Sequence, residues 1–299
     1  MSELSYLEKL LDGTEVEWKA LGDVTSVLRG KRLTKNLLSA EEKFPVFHGG
    51  LEPLGYYNKS NRPANTVMII NVGASAGTVG YSTVDFWSSD GCFCLEHNEL
   101  LNNRFLYFAL IGYQSLLKSK VRVAGIPTLD AIVVNKLLIP IPCPENPEKS
   151  LAIQLEIVRV LDKFTALTAE LTAELTAELT ARKKQYNYYR DQLLSFEDGE
   201  VEWVVLGNLV DINTGSKPPE IYEKATDYDY INAGTSRSGY SDESNCEGDT
   251  VTTPSRGQGG IGYVGYQKKP FWLGPLCYKF RAIDEELLVN KYLFYFLQS

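Results

Sequence analysis

Residues 168–179 read Thr-Ala-Glu-Leu three times in succession. This repeat lies in a stretch of about residues 147–196 that is rich in Ala, Leu, Glu and Lys, the residues with high helix propensity. A continuous helix over most of that stretch would be about 69 Å long at 1.5 Å per residue. The repeat therefore predicts a helical spacer whose length can change in steps of four residues.

Two copies of one sequence flank this predicted helix. The segment DGTEVEWKALGDVTSVLRG, which begins at Asp12, matches DGEVEWVVLGNLVDINTG, which begins at Asp198. Trp18 of the first copy corresponds to Trp203 of the second. The similarity continues between PVFHGGLEPLGYYNK and DYINAGTSRSGYSDE, between NTVMIINVGASAGTVGY and DTVTTPSRGQGGIGYVGY, and between LLNNRFLYFAL and LLVNKYLFYFL. The chain is therefore predicted to contain two homologous domains.

Each copy is predicted to combine strands with a helix. Its segments are rich in β-branched and aromatic residues interrupted by Gly, Asn and Pro, which indicates short strands joined by tight turns. The LLNNRFLYF segment has the spacing of an amphipathic helix. The predicted class is α+β, with two homologous mixed α/β domains joined by a long helix. The expected boundaries are 1–13 for an N-terminal helix, 14–146 for the first domain, 147–196 for the spacer helix and 197–299 for a second, incomplete domain.

The long helix is predicted to carry an apolar stripe. Its apolar residues recur at spacings of three and four, which places them on one face. A lone helix of this length needs a partner to cover that face, and an antiparallel coiled coil is the expected arrangement. The stripe consists of Leu151, Leu155, Val158, Leu161, Phe164, Leu167, Leu171, Leu175 and Leu179.

The four-residue unit has a geometric match in DNA. Each added unit advances a helix by about 6 Å and rotates it by a net angle of about 40°. One base pair of B-DNA turns by about 34 to 36°. Two domains joined by such a helix therefore predict a protein that reads a bipartite DNA site, with the gap set by repeat number. The alternative is that the repeat only adds length to a coiled coil and has no relation to DNA.

The charge of the chain restricts how it can bind DNA. A net charge of −8 and a pI near 5.0 argue against a protein that coats nucleic acid by bulk electrostatics. DNA contact must then come from local basic loops or from a basic partner. Five dispersed cysteines and the lack of a signal peptide favour a cytoplasmic protein.

Base reading requires Arg, Lys, Asn or Gln on loops that reach the DNA grooves, with other basic groups at the phosphates. In the first domain, the strongest candidates directly follow the first strand, and four weaker ones lie on later loops. These residues are Arg29, Lys31, Arg32 and Lys35, then His48, Asn71, Ser75 and Arg122. In the second domain, the corresponding candidates are Lys217, Arg237, Arg256, Gln258, Lys268 and Lys269.

Motifs for catalysis are absent from the sequence. The GQGGIG segment at residues 257–262 matches a dinucleotide fingerprint, but a strand and a turn are expected after it instead of the helix that holds phosphates. Cys92 and Cys94 do not have the usual spacing of zinc ligands. We therefore expect a non-catalytic chain that binds no metal and no cofactor of its own.

At this level of detail the chain resembles the DNA specificity (S) subunit of type I restriction–modification enzymes, in particular the type IC group, with an incomplete C-terminal part. The most specific segments are the repeats, IPIPCPENPEKSLAIQLEIVRVLDKF, RKKQYNYYRDQLLSF, and the EVEWxxLG opening of each half. The resemblance implies two target recognition domains that each read one half of a split sequence in double-stranded DNA. It also implies helices that dock methyltransferase (M) subunits and a spacer set by repeat number.

The resemblance also implies partners and a cofactor outside this chain. S-adenosylmethionine is expected in the M subunit, and restriction (R) subunits are expected to join through the complex. Because the second domain is predicted to be incomplete, we expect a second copy of the chain to cover the leucine stripe in a homodimer. The alternative is a coiled-coil scaffold that does not bind DNA and presents two protein-binding domains.

Overall fold

The computed structural model describes residues 13–197, 199–257 and 260–299. The chain forms two compact units whose boundary lies inside the long helix, between Thr172 and Ala173. The predicted N-terminal helix falls almost wholly on residues outside the described part. In the described part of the chain, no helix has an apolar stretch long enough to cross a membrane. The predicted α+β class is confirmed.

The first unit contains three small sheets and four short helices in its described part. Its strands are β1 (Val16–Ala20), β2 (Val27–Arg29), β3 (Phe44–Phe47), β4 (Gly55–Tyr57), β5 (Thr66–Ile70), β6 (Val79–Ser82), β7 (Trp87–Ser88), β8 (Cys92–Leu95) and β9 (Leu138–Pro142). Its short helices are α1 (Leu21–Val24), α2 (Asn103–Ile111), α3 (Gln114–Ser119) and α4 (Ala131–Asn135). The sheets have the strand orders β2-β8-β5-β6, β4-β3-β7 and β1-β9.

The long helix α5 (Pro147–Leu194) is continuous over 48 residues, and its last part belongs to the second unit. The strands of that unit are β10 (Val210–Thr214), β11 (Tyr228–Ile231), β12 (Gly239–Ser241), β13 (Thr250–Pro254), β14 (Gly265–Gln267), β15 (Trp272–Leu273) and β16 (Cys277–Ala282), followed by helix α6 (Asn290–Gln298). Its sheets have the orders β10-β16-β13-β14 and β12-β11-β15, which repeat two sheets of the first unit. The β1–β9 sheet has no counterpart in the described second unit.

The two copies agree down to the pairing of individual residues. Met68 faces Gly80 across β5 and β6, and Thr252 faces Gly265 across β13 and β14, as the sequence alignment requires. The strand β3 also runs parallel to β7, as β11 does to β15. The duplication seen in the sequence is therefore a duplication of one arrangement of paired strands.

Tryptophan side chains tie the two sheets of each copy together. The indole nitrogen of Trp87 donates a hydrogen bond to the Lys31 carbonyl at 2.8 Å. Trp272 makes the corresponding bond to the Ser216 carbonyl at 2.7 Å. Each bond joins a strand of the three-stranded sheet to the segment that leaves the four-stranded sheet. The tryptophans therefore fix where the following loop begins.

An asparagine makes a second tie in each copy. The side chain of Asn61 accepts a hydrogen bond from the Ser88 amide at 2.7 Å and donates one to the Ser88 carbonyl at 3.0 Å. Asn245 makes the same pair of bonds to the backbone of Leu273, at 2.6 and 3.0 Å. Both backbone partners are buried, so water does not satisfy these groups in place of the amide.

The first turns of the long helix pack on the first domain, and the packed face coincides only in part with the predicted stripe. Ile153 and Gln154, which are outside the stripe, are buried, whereas Leu155 of the stripe is 54% exposed. The Gln154 side chain accepts a hydrogen bond from the Asn102 amide at 2.8 Å. Val158 of the stripe is partly buried and packs against the core of the first domain. The first domain therefore covers part of the stripe near the start of the helix.

Arg104 of α2 fixes the next turns of α5. Its guanidinium forms an ion pair with Asp162 at 2.7 Å and also lies over the ring of Tyr107 at 4.9 Å. The four leucines of the repeat region lie beyond this anchor and are about half exposed or more: Leu167, Leu171, Leu175 and Leu179. The predicted pairing of this stripe with another helix stays a prediction.

We predict that Asn61→Ala will lower the free energy of unfolding by about 2 kcal/mol, because it leaves the buried backbone amide of Ser88 without an acceptor and removes one of the two donors to the Ser88 carbonyl. Chemical denaturation monitored by circular dichroism measures this change. Asn58→Ala, at an exposed position in the same segment, is the control and should have little effect. Equal stability of the two variants would contradict the role of the asparagine tie.

Candidate nucleic-acid interface

Several loops of the first domain converge at one end of its sheets. A methyl group placed on Gly91, in the β7–β8 turn, would lie 2.7 Å from both His48 and Val72. His48 lies in the β3–β4 loop and Val72 in the β5–β6 hairpin, so three loops meet at this glycine. The Gly73 amide also donates to the Pro127 carbonyl at 2.9 Å, which brings a fourth segment to the same end.

Asp90 brings two predicted DNA-binding residues together. The Nε atom of Arg29 donates to the Asp90 carbonyl at 3.3 Å. The Nδ1 atom of His48 lies 3.4 Å from the Asp90 carboxylate. Both side chains remain accessible to solvent at this loop end. The arrangement provides one basic and one titratable side chain for contact with a ligand.

The remaining cations after β2 are exposed on a segment whose backbone is fixed. The Lys31 amide donates to the Ser88 carbonyl at 2.9 Å, and the Lys31 carbonyl accepts from Trp87. The side chains of Lys31, Arg32 and Lys35 are exposed. These cations therefore extend from an ordered backbone, which suits contacts with phosphates.

The weaker candidates of the first domain differ in accessibility. Asn71 is 4% exposed. Its backbone amide donates a hydrogen bond to the Gly91 carbonyl, and its backbone carbonyl accepts one from the Leu129 amide. Its buried Oδ1 has no hydrogen-bond donor among the described residues. Ser75 lies half-buried in the β5–β6 hairpin. Arg122 is exposed and forms an ion pair with Asp130 at 3.0 Å.

In the second domain, the structure separates the predicted residues into two groups. Arg237 lies in the β11–β12 loop and Arg256 in the β13–β14 loop, and these loops pack closely at Gly260, where a methyl group would lie 2.7 Å from the Gly234 nitrogen. Lys268 and Lys269 lie beyond the opposite end of β14. Lys217 is exposed after β10, and Gln258 lies outside the described residues.

The second domain also has a polar cleft that the sequence analysis did not identify. Its volume is about 450 Å³, and it lies between the β13–β14 hairpin and the β11–β12 loop. We call it the polar cleft; its lining includes Asp229, Thr235, Arg237, Thr252, Tyr263 and Gln267. The signal was present in the repeat, because Leu51, Pro53 and Met68 of the first copy correspond to Thr235, Arg237 and Thr252.

Cys92, Cys246 and Cys277 have a raised pKa. Burial raises the pKa of Cys277, at the polar cleft, to about 12. The pKa of Cys92 is raised by its hydrogen bond with Cys94 and by burial. Within the described ranges, no three His, Cys, Asp or Glu side chains come together as a metal site. The GQGGIG segment is followed by strand β14, as predicted, so no helix begins there to hold phosphates.

Comparison with known proteins identifies the family. The family model described as "Type I restriction modification DNA specificity domain" matches residues 14–181 and 199–299. The chain is 43% identical over 222 residues to the EcoR124I/EcoR124II specificity subunit of Escherichia coli, which covers 70% of this chain and 52% of that protein. It is 40% identical over 238 residues to the E. coli EcoprrI specificity subunit, which covers 72% and 59% of the two chains. The chain thus spans between half and three fifths of these relatives' length.

Solved structures show the same fold. The S subunit of a type I restriction–modification system from M. genitalium has a TM-score of 0.57 and 22% identity, with 96% of this chain and 78% of that chain covered. A second structure, which concerns complex assembly of the type I system, has a TM-score of 0.54 and 18% identity, with coverage of 94% and 78%. The predicted resemblance to type I specificity subunits is confirmed by the family model and by the E. coli relatives, which are named specificity subunits. The chain belongs to the family of type I restriction–modification DNA specificity proteins.

Proposed function

We propose that this chain is the sequence-specific DNA-recognition subunit of a type I restriction–modification complex and reads a bipartite site in double-stranded DNA. The observation that carries this proposal is the pair of domains with equal strand registers and unequal loops. The loop after β3 reads HGGLEPL, whereas the corresponding loop after β11 reads NAGTSRS. One frame therefore presents two different sets of side chains, as a protein with two different half-sites requires.

The acidic composition is compatible with this function because the basic side chains are local. Arg29, Lys31, Arg32 and Lys35 are exposed together on one segment of the first domain. Glu170, Glu174 and Glu178 lie on the long helix, away from that segment in sequence. Most of the nonspecific affinity for DNA is then supplied by the partner subunits.

The length of α5 sets the gap between the half-sites in this proposal. The helix passes through all three repeats without interruption, so an inserted unit is transmitted as about 6 Å of translation and about 40° of rotation. That rotation is close to the twist of one base pair. One repeat is therefore expected to change the gap by one base pair.

The surfaces for partner subunits are apolar and exposed on the helices. In the second unit, a groove of about 620 Å³ lies between the end of α5 and α6, and its rim carries Arg182 and Arg190. Its aromatic lining comprises Tyr186, Tyr189, Tyr292 and Tyr295. We assign the docking of methyltransferase subunits to the helices, with restriction subunits joining through them. S-adenosylmethionine and the methyl transfer then belong to the methyltransferase partner.

When partners are absent, we propose that two copies of the chain pair through α5. The exposed leucines of the repeat region form a continuous apolar surface, which a second antiparallel helix can cover. Such pairing removes apolar side chains from water, which favours association by about 25 cal/mol per Å².

Deletion of residues 172–175 should shorten the gap in the methylated sequence by one base pair and leave both half-sites unchanged. The measurement is sequencing of methylated bases in cells that express the chain with its methyltransferase subunits. Glu174→Gln, which keeps the length of the helix, is the control and should leave the gap unaltered. An unchanged gap after deletion rules out the spacer function, and the absence of any bipartite motif favours the scaffold alternative.

Arg29→Ala and Arg32→Ala should each weaken DNA binding by the assembled complex and lower the salt dependence of binding by about one phosphate contact. Thermal unfolding should be unaffected, because both side chains are exposed. Lys59→Ala, an exposed change beyond the other end of β4, serves as the control. If both arginine variants bind like the unmodified protein, this segment does not contact DNA.

Leu171→Lys combined with Leu175→Lys should convert the isolated chain from dimer to monomer at micromolar concentration, because it places charges in the apolar surface. Light scattering coupled to size exclusion measures the mass directly. Glu170→Lys combined with Glu174→Lys changes the same helix outside the stripe and should preserve the dimer. A monomeric unmodified chain would exclude the proposed pairing.

A further inference from the structure

The polar cleft of the second domain differs from the same region of the first domain in one decisive contact. In the first domain, Leu51 covers Gly80: a methyl group on this glycine would lie 2.3 Å from Cδ2 of the leucine. Thr235 occupies the position of Leu51 in the second domain. A methyl group on the corresponding Gly265 would instead lie 2.9 Å from the Thr252 hydroxyl and 3.3 Å from the ring of Tyr263. Thr235 lines the cleft with a shorter side chain than the leucine, and the Tyr263 ring forms the wall at this glycine.

The wall of this space is also polar in the second domain alone. Met68 and Ile70 of the first domain are buried in an apolar cluster with Phe47. Thr252 stands in place of Met68, and its hydroxyl accepts a hydrogen bond from the amide of Gln267 at 3.2 Å. That bond uses one amide hydrogen, so the Gln267 oxygen and its other hydrogen can bind a ligand.

The charges at the cleft do not favour an anionic ligand, because they pair with each other. Arg237 forms an ion pair with Asp229 at 3.4 Å, and its guanidinium lies 4.5 Å above the ring of Tyr240. The pair is neutral as a whole, and it holds the arginine in a fixed orientation. The neutral Cys277 thiol at the same cleft offers no metal ligand. A phosphate or a cation is therefore disfavoured relative to a neutral polar ligand.

The remaining features match a planar heterocycle. Tyr263 is 42% exposed at the cleft and offers an aromatic face. Amide, hydroxyl, guanidinium and carboxylate groups together supply the donors and acceptors that recognise base edges. The β11–β12 and β13–β14 loops, which carry Arg237 and Arg256, border this space. The cleft is thus placed next to the loops assigned to DNA.

We propose that the polar cleft binds one nucleobase of the second half-site, swung out of the duplex stack, and that Gln267 and Arg237 determine which base is accepted. A base within the stack offers only its edge along a groove, whereas a concave cleft of about 450 Å³ can enclose the whole ring. Unstacking costs a few kcal/mol, which hydrogen bonds and aromatic stacking in the cleft offset. The inference rests on the proposed DNA-reading function.

Thr235→Leu tests the inference because it places in the second domain the leucine that occupies the corresponding position, Leu51, in the first domain. The variant chain is expressed with its methyltransferase subunits, and methylated bases are mapped by sequencing. Preference at one position of the second half-site should fall about tenfold, with the first half-site and the gap unchanged. Ser244→Leu adds the same bulk at an exposed site of the β12–β13 loop and is the control.

Gln267→Ala gives an independent test that adds no volume, so it remains informative if Thr235→Leu lowers stability. It should relax the same position of the second half-site. If the unmodified chain specifies a bipartite motif and both cleft variants keep that motif, the inference is wrong and the proposed function stands. An unmodified chain that specifies no bipartite motif overturns the proposed function and the inference with it.

Mispaired duplexes test whether the base leaves the stack. A mismatch opposite the accepted base lowers the cost of unstacking, so it should tighten binding by the assembled complex several-fold at that single position. Thr235→Leu should abolish this gain. If mismatches weaken binding at every position of the second half-site, the base stays in the stack and the inference is wrong.

Discussion

Hydrogen bonds from asparagine and tryptophan side chains to backbone groups hold the paired strands on which every reading loop of this protein depends. The asparagine and tryptophan ties join strand segments that are distant in sequence, and they recur in both domains with nearly the same distances. Because Ser88 and Leu273 are buried, a change that removes the asparagine side chain leaves a backbone amide unpaired and without access to water. The loops can therefore vary in sequence while the strands beneath them keep one register.

Much of this frame could be predicted from the sequence. Matching Gly and Trp spacings in the two copies predicted equal strand pairing, and the structure pairs Met68 with Gly80 as it pairs Thr252 with Gly265. The long helix runs from Pro147 to Leu194, within the range of residues 147–196 that its helix-forming composition indicated. These features are local or repeated, so sequence spacing alone carries them.

The features that were missed depend on three-dimensional packing. Spacings of three and four describe any helical face, so they could not tell that Ile153 and Gln154, which lie outside the stripe, are the helix residues most deeply buried against the first domain. Asn71 is polar and follows a strand, yet the loops of its own domain bury it. Lys268 lies at the far end of β14 because a hairpin reverses direction, which the sequence alignment does not display. Whether the predicted residues contact DNA stays a prediction.

The repeat also affects how any helix can lie along α5. A strict four-residue period exceeds the 3.6 residues of a helical turn, so successive leucines shift sideways by about 40° each. From Leu167 to Leu179, the three steps add up to about 120°, a third of the circumference. A straight companion helix would lose contact with such a seam, and a companion that follows it must coil with a right-handed sense. Each added unit thus shifts the contact line of the companion helix around the axis of α5 as well as along it.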